Sequence, residues 1–403
     1  MNALYGTIWA GDMAVLSVLT GSGPGTRAGG MKTAKAVRRY GAVTTWLLLA
    51  GAFAAVLPAS AARARSVPAT SSLLYPALFG VAATSAKDVW AVGQYQSAPG
   101  PLRTLIMHWN GTAWTRVPSP NPVPGGDTLN AVAAVSASDA WAVGGKNGRP
   151  LILRWNGKVW RQTPSPDLVG ALASVAVTSA TDAWAVGLGG TKTSQTIIEH
   201  WNGKAWTVMR SPVRAGNLDG VAATSASDVW AVGFSGNWTA SHALVLHWNG
   251  QAWRQVPAPD QPGNGIFWGV GATSARNAWV VSGAAQKALD VNKTVIERWN
   301  GTAWARVPSA NPKPGGGILS GVAATSASNA WAVGFDEDFA FGFEGIIEHW
   351  NGTSWKLVDS PVPDGALFSV TALSARDAWA VGSGSGALIE HWNGTHWTAT
   401  TVG

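Results

Sequence analysis

Apolar positions in this chain come in short bursts between turn residues rather than at helical spacing. Val81-Ala-Ala-Thr84, Val89-Trp-Ala-Val92, Leu105 to Trp109 and Trp114 to Val117 each read as a strand. Each is rich in β-branched and aromatic residues, and each is bounded by turn formers. This four-strand unit returns seven times, marked by Trp90, Trp141, Trp184, Trp230, Trp279, Trp331 and Trp379 at spacings of 51, 43, 46, 49, 52 and 48 residues. A period of that size marks a repeat architecture. Asn110-Gly111, between the third and fourth strands, is a hairpin signal. It recurs at Asn156, Asn202, Asn249, Asn300, Asn351 and Asn393. Read as a two-residue turn, it sets Trp114 opposite Met107 and diagonal to Trp109. The acid before the second strand (Asp88, Asp139, Asp182, Asp228, Asp377; Asn277 and Asn329 in the other two units) is expected to cap a turn with its side chain.

One four-stranded sheet cannot bury both its faces, whereas a closed ring of such sheets can. The expectation is an all-β chain: a single seven-bladed β-propeller of four-stranded antiparallel blades, after an N-terminal signal peptide. The expected organisation is an upstream extension over 1–30, with Met31 the true start, a signal peptide over 31–61 and the propeller over 62–403. Its repeats fall at about 72–121, 122–166, 167–212, 213–259, 260–310, 311–361 and 362–403.

The signal reading rests on Lys32, Lys35, Arg38 and Arg39, then an apolar run from Gly41 to Leu57, then Ala59-Ser60-Ala61. That is a basic n-region, an h-region and a small-residue cleavage box. Cleavage leaves no stable membrane span, and the product is expected to be secreted, at the cell surface or free. Arg65 to Pro68 resembles the end of an outer strand, and residues 62–70 are expected to augment the last blade.

Composition narrows the function classes. Charged residues make up 12% of the chain and hydrophobic ones 46%, the balance of a folded protein. The net charge of +7 falls to +3 over residues 62–403, which form no basic stripe, so no nucleic-acid partner is expected. Cysteine is absent, which excludes disulfides, thiolate nucleophiles and Cys-ligated metals. No cofactor, metal site or catalytic residue is assigned, and a monomer is expected. The Asn-x-Thr matches at Asn110, Asn300, Asn351 and Asn393 are accounted for by the hairpin turn.

The repeat resembles kelch and galactose-oxidase-type propeller units, and most of all the Trp-rich Asp-Val-Trp-Ala-Val-Gly … His-Trp-Asn-Gly … Trp propellers of secreted bacterial proteins. It is also similar to the Asp-box hairpin of sialidase-type propellers, although Trp-Asn-Gly-x-x-Trp lacks that box's Asp and Thr. The resemblance covers residues 72–403 and implies a fold rather than an activity. Copper-radical oxidation would need a Cys. A sialidase would need an Arg cluster and a Tyr nucleophile. A glycosidase would need carboxylates flanking a cleft, whereas Asp336, Glu337, Asp338 and Glu344 all come from one segment.

Three tryptophans per unit recur in all seven units, which marks them as scaffold. Function is expected where the units differ, on the face bearing the variable loops between strands 2 and 3 and between strand 4 and the next strand 1. The position two residues before the Val of strand one reads Phe79, Asn130, Ala173, Asp219, Trp268, Ser320 and Phe368 around the ring. Aromatic and polar groups at a channel mouth fit a ligand pocket; the alternative is that they only plug the channel. A second cluster joins the loop Phe335 to Glu344, with Asp336 and Asp338, to Phe267 beside Trp268 and to Trp238. Its alternative is a loop folding its phenylalanines onto the blade. The ligand-binding candidates are therefore Phe79, Asn130, Asp219, Trp238, Phe267, Trp268, Phe335, Asp336, Asp338 and Phe368. The expected function is an exported binding module for carbohydrate or extracellular protein, with a non-catalytic scaffold and a glycoside hydrolase or lyase-like enzyme as alternatives.

Overall fold

The computed structural model describes residues 73–402, apart from 97–99, 122–125, 192, 238–239, 259–264, 287–290, 312–316, 339–341 and 363. The signal region, Trp238 and residues 62–70 lie outside the described residues.

The described chain is all-β: seven antiparallel sheets of four consecutive strands each. Blade one is β1 (Leu74–Ser85), β2 (Asp88–Gln96), β3 (Leu102–Trp109) and β4 (Trp114–Arg116), with β1 innermost and β4 outermost. The next five blades repeat this order, and the last ends in β25 (Ala366–Ser374), β26 (Asp377–Ser383), β27 (Ala387–Trp392) and β28 (Trp397–Val402). Among the described residues no helix is long and apolar enough to cross a membrane.

The core lies between blades. The second-strand tryptophan of each blade is buried and packs on two tryptophans of the following blade. Trp90 lies 4.9 Å from Trp155 and 5.2 Å, edge-on, from Trp160. The pattern continues round the ring to Trp379, which meets Trp109 and Trp114 of blade one, both at 5.5 Å. Edge-to-face packing at this separation is favoured by the aromatic quadrupole, beyond the area buried.

The outer hairpin corrects the expected register. Trp109 pairs directly with Trp114, and Met107 pairs with Arg116. The connection is a four-residue loop closed by the Asn110 side chain, whose Oδ1 accepts from the Thr112 and Ala113 amides at 3.0 Å. Gly111 holds φ +94°, a left-handed conformation that glycine adopts without strain.

The acid before strand two also has a different role from the expected one. In the first turn it is the Ser85 hydroxyl that caps, accepting from the Lys87 amide. Asp88 instead reaches across the sheet to His108, with Oδ1 2.7 Å from Nε2, and also accepts from the Thr84 hydroxyl. The His108 ring stacks on Trp90 at 4.1 Å. In blade two Arg154 replaces the histidine, binds Asp139 through two hydrogen bonds and lies over the Trp141 ring. Histidine and arginine are interchangeable here because each offers a donor to the acid and a flat face to the indole.

Candidate functional site

The non-repeating position on the inner strand is a β-bulge. In blade one, register slips between Leu78/Gly93 and Gly80/Val92, which leaves Phe79 unpaired. The same slip isolates Asn130, Ala173, Asp219, Ser320 and Phe368. A bulge re-aims its side chain away from the blade-to-blade core. All seven residues at this position are half-buried, whereas the leucines just before six of them are fully buried.

The bulges sit shoulder to shoulder around the hub. Phe79 and Phe368 rings lie 5.6 Å apart. Asn130 donates its amide to the Leu172 carbonyl of the next blade at 2.7 Å. A Cβ on Gly220 would come within 3.2 Å of the Trp268 carbonyl, one on Gly269 within 2.8 Å of the Ser320 carbonyl, and one on Gly321 within 3.2 Å of the Phe368 carbonyl. The seven residues thus form a collar, and the glycine after four of them permits this close approach.

Blade five departs from the others for a visible reason. Six blades carry glycine where the second strand meets the bulge; a Cβ on Gly93 would sit 1.9 Å from the Ala77 carbonyl oxygen. Blade five carries Ser282 instead. Its inner strand, β17 (Gly269–Ser274), starts only after the collar residue, and the Ser282 hydroxyl bonds to the Ile266 carbonyl. The segment ahead of β17 leans on blade four, where the Phe267 amide donates to the Gly233 carbonyl at 3.2 Å. Phe267 then fills the place that leucine holds in other blades and is fully buried between blades four and five. It packs as a core residue in this structure. Trp268 takes the collar position.

Blade six adds an aromatic track. Phe335 to Asp338 and Gly342 to Glu344 lie on paired strands, β22 (Asn329–Asp338) and β23 (Gly342–Trp350), in which Phe335 pairs with Gly345 and Asp336 with Glu344. Phe343, Phe335, Phe368 and Phe79 follow one another at centroid separations of 5.4, 6.1 and 5.6 Å, from β23 to the collar. Asp336 is buried, at 5% exposure. The Asp338 side chain and Trp238 lie outside the described residues.

Blade four supplies a polar pair. Asp219 on the collar accepts from the Asn217 amide at 2.6 Å. Burial pushes the Asp219 carboxyl up to about 8, against the lowering effect of that hydrogen bond. No other blade has a carboxylate on the collar.

Four buried glutamates were not foreseen from the sequence: Glu199, Glu297, Glu348 and Glu390 on third strands, each with no exposed surface. The Ser165 hydroxyl of blade two donates to Glu199 of blade three at 3.1 Å, Ser309 to Glu348 at 2.6 Å and Ser360 to Glu390 at 2.7 Å. Burial raises Glu199 and Glu390 to about 7, opposed by their serine bonds, and raises Glu348 too. The three serine–glutamate pairs latch blade to blade, away from the collar. A serine follows the outer strand in five blades, as Ser119, Ser165, Ser211, Ser309 and Ser360, and three of these make the latches.

On the opposite face a shallow depression between blades four and five is lined by Asp228, His247, Asn249 and Thr273. His247 binds Asp228 at 2.7 Å, as its counterpart does in blade one, so this depression belongs to the repeated scaffold. Among the described residues no group of three or more His, Cys, Asp or Glu side chains could hold a metal ion.

No protein-family model matches the chain, and no curated protein matches it. Solved structures do. A GH74 xyloglucanase from Xanthomonas campestris aligns at 12% identity and TM-score 0.53 over 80% of this chain and 54% of the enzyme, so this chain spans about half of that protein. U3-55K aligns at 13% identity and TM-score 0.51 over 77% of this chain and 89% of its own. The fucose-specific lectin of Aleuria aurantia aligns at 14% identity and TM-score 0.44 over 82% and 96%. At such identities the likeness speaks to the propeller fold alone.

Proposed function

We propose that this chain is an exported binding module that recognises carbohydrate at the collar on its variable face. One observation carries this reading. The inner-strand position that varies most is a bulge in six blades, and around the ring it presents Trp268, Phe79 and Phe368 beside Asp219, Asn130 and Ser320. A scaffold needs no variety there. Flat aromatic faces bordered by hydrogen-bonding groups suit sugar rings, which have apolar faces and hydroxyl edges.

The signal-like segment before residue 62 supports export, and cell-wall or extracellular polysaccharide would then be the accessible ligand. A protein partner is the second reading, favoured by the track from Phe343 to Phe79. Those rings meet at 87°, 80° and 44°, a packed apolar ridge better matched to a partner's side chains than to a flat sugar.

The test is an array of glycans and cell-wall polysaccharides probed with the purified protein and with Trp268→Ala. Binding that the substitution abolishes supports the carbohydrate reading. Absence of any sugar binding by the unaltered protein moves the assignment to a protein ligand.

A further inference from the structure

Blade four breaks the repeat in a way that weakens the fold. The residue two before the bulge is Ala77, Thr128, Ala171, Ile318 or Ala366 in the other bulged blades, and here it is Asn217. Asn217 is 6% exposed. Its Nδ2 is committed to Asp219, while its Oδ1 and the Asp219 Oδ2 are buried and have no hydrogen-bond partner. Unsatisfied buried polar atoms each cost a protein stability, and native structures rarely keep them without a use. Alanine at 217 would have avoided the loss. From the same strand, Leu218, Val221 and Ala223 supply the core shared with blade three.

A second departure lies beside it. Ser282 bonds to the Ile266 carbonyl and the inner strand of blade five starts late, while Trp268 keeps the ordinary collar contact with blade four, its carbonyl adjoining Gly220. Trp268 is the single collar tryptophan, and it stands next to the single collar carboxyl. Two irregularities, in neighbouring blades, therefore lie side by side.

We propose that Asp219 and Asn217 form the polar half of a subsite for a neutral hydroxyl group, with Trp268 as its apolar wall. This inference rests on the carbohydrate reading above. Asp219 acts in its protonated form. Its O–H donates to the ligand hydroxyl, and that hydroxyl donates in turn to Asn217 Oδ1, so each unsatisfied atom gains a partner. Both oxygens are covered in the ligand-free chain, and rotation of the half-buried Asp219 side chain admits the ligand. The burial that holds the carboxyl neutral up to about pH 8 fits this role, because an anion could not donate. The ligand class is an uncharged polyol such as a neutral hexose or pentose unit. A cationic amino sugar would find no fixed negative charge to pair with.

The experiment measures affinity of the full chain for the tightest neutral oligosaccharide on the array, at pH 6 and pH 9.5, with Asp219→Asn and Asp219→Ala alongside. The unaltered protein should bind about tenfold more weakly at pH 9.5, the effect of one lost hydrogen bond. Asp219→Asn, which keeps an N–H donor at every pH, should show no such loss. Asp219→Ala, which also takes the partner from Asn217 Nδ2, should be about tenfold weaker at pH 6 and melt lower, and Asp219→Asn controls for that loss. If sugar binds but is indifferent both to pH and to Asp219→Ala, this subsite is wrong and the wider reading stands. If no neutral sugar binds, the wider reading fails and this inference with it.

Discussion

Trp379 of the last blade meets Trp114 of the first edge-on, with ring centroids 5.5 Å apart and planes at 79°, and this contact closes the ring. It repeats the contact that Trp90 makes with Trp160, so the closing interface is built like the others. The described blades are all in phase, each made of four consecutive strands.

Trp379→Ala should therefore cost as much as the same change inside the ring. Removing a buried tryptophan costs about 3–5 kcal/mol. Chemical denaturation of Trp379→Ala beside Trp230→Ala tests this. Equal losses are expected; a negligible loss at Trp379 would mean that the ring is not held there.

The histidine positions should tolerate arginine but not alanine. His108→Ala strips Asp88 of a hydrogen bond and Trp90 of a stacked ring, at a cost of about 1–3 kcal/mol. His108→Arg should stay within about 1 kcal/mol, since Arg154 already does this work in blade two. Thermal melts of the two variants distinguish the cases, and equal destabilisation would sink the argument.

Stability should fall as pH rises through neutrality. Glu199 and Glu390 titrate near 4.5 when unfolded and near 7 when folded, because burial disfavours their charge. Between those values the folded chain holds more protons than the unfolded chain. The stabilisation is full below about 4.5 and lost as pH climbs past about 7, at most about 3 kcal/mol for each group. Asp219 acts in the same direction, with its loss near pH 8. Asp228 acts in the opposite sense: burial raises it, but the bonds from His247 and Thr224 outweigh that, and its contribution is lost in acid. Melting temperature from pH 5 to 9 should decline, and less steeply in a Glu199→Gln, Glu390→Gln double variant. A rise over that range would contradict the buried-acid picture.

Gly93→Ala should disrupt the bulge, since the added Cβ would lie 1.9 Å from the Ala77 carbonyl oxygen. Overpacking against backbone costs about 1–3 kcal/mol, and there is no flexible side chain to yield. Ser282→Gly in blade five should not destabilise comparably. Denaturation midpoints of the two variants check the contrast.

The fold was legible because each blade repeats its tryptophans, glycines and Asn-Gly turns in register with its strands. The hairpin register was missed because Asn-Gly was taken as the whole turn, whereas the Asn110 side chain closes a four-residue loop. The collar was visible as a column of unlike residues, yet its bulge was not. Its mark was the small residue that follows, such as Gly80 or Gly220, which lets neighbouring backbones touch. Phe267 and Trp268 looked alike in sequence, and only the leucine positions of other blades tell core from collar. The serine–glutamate latches span adjacent blades, with Ser165 34 residues before Glu199, too far apart for local pattern to reveal them.

The most direct test of the central claim is titration of a sugar selected on the array against the unaltered protein, Trp268→Ala and Lys158→Ala, the last lying on the opposite face. The account predicts loss of binding in Trp268→Ala and none in Lys158→Ala. Binding that survives Trp268→Ala but fails in Lys158→Ala would place recognition on the short-turn face and contradict it.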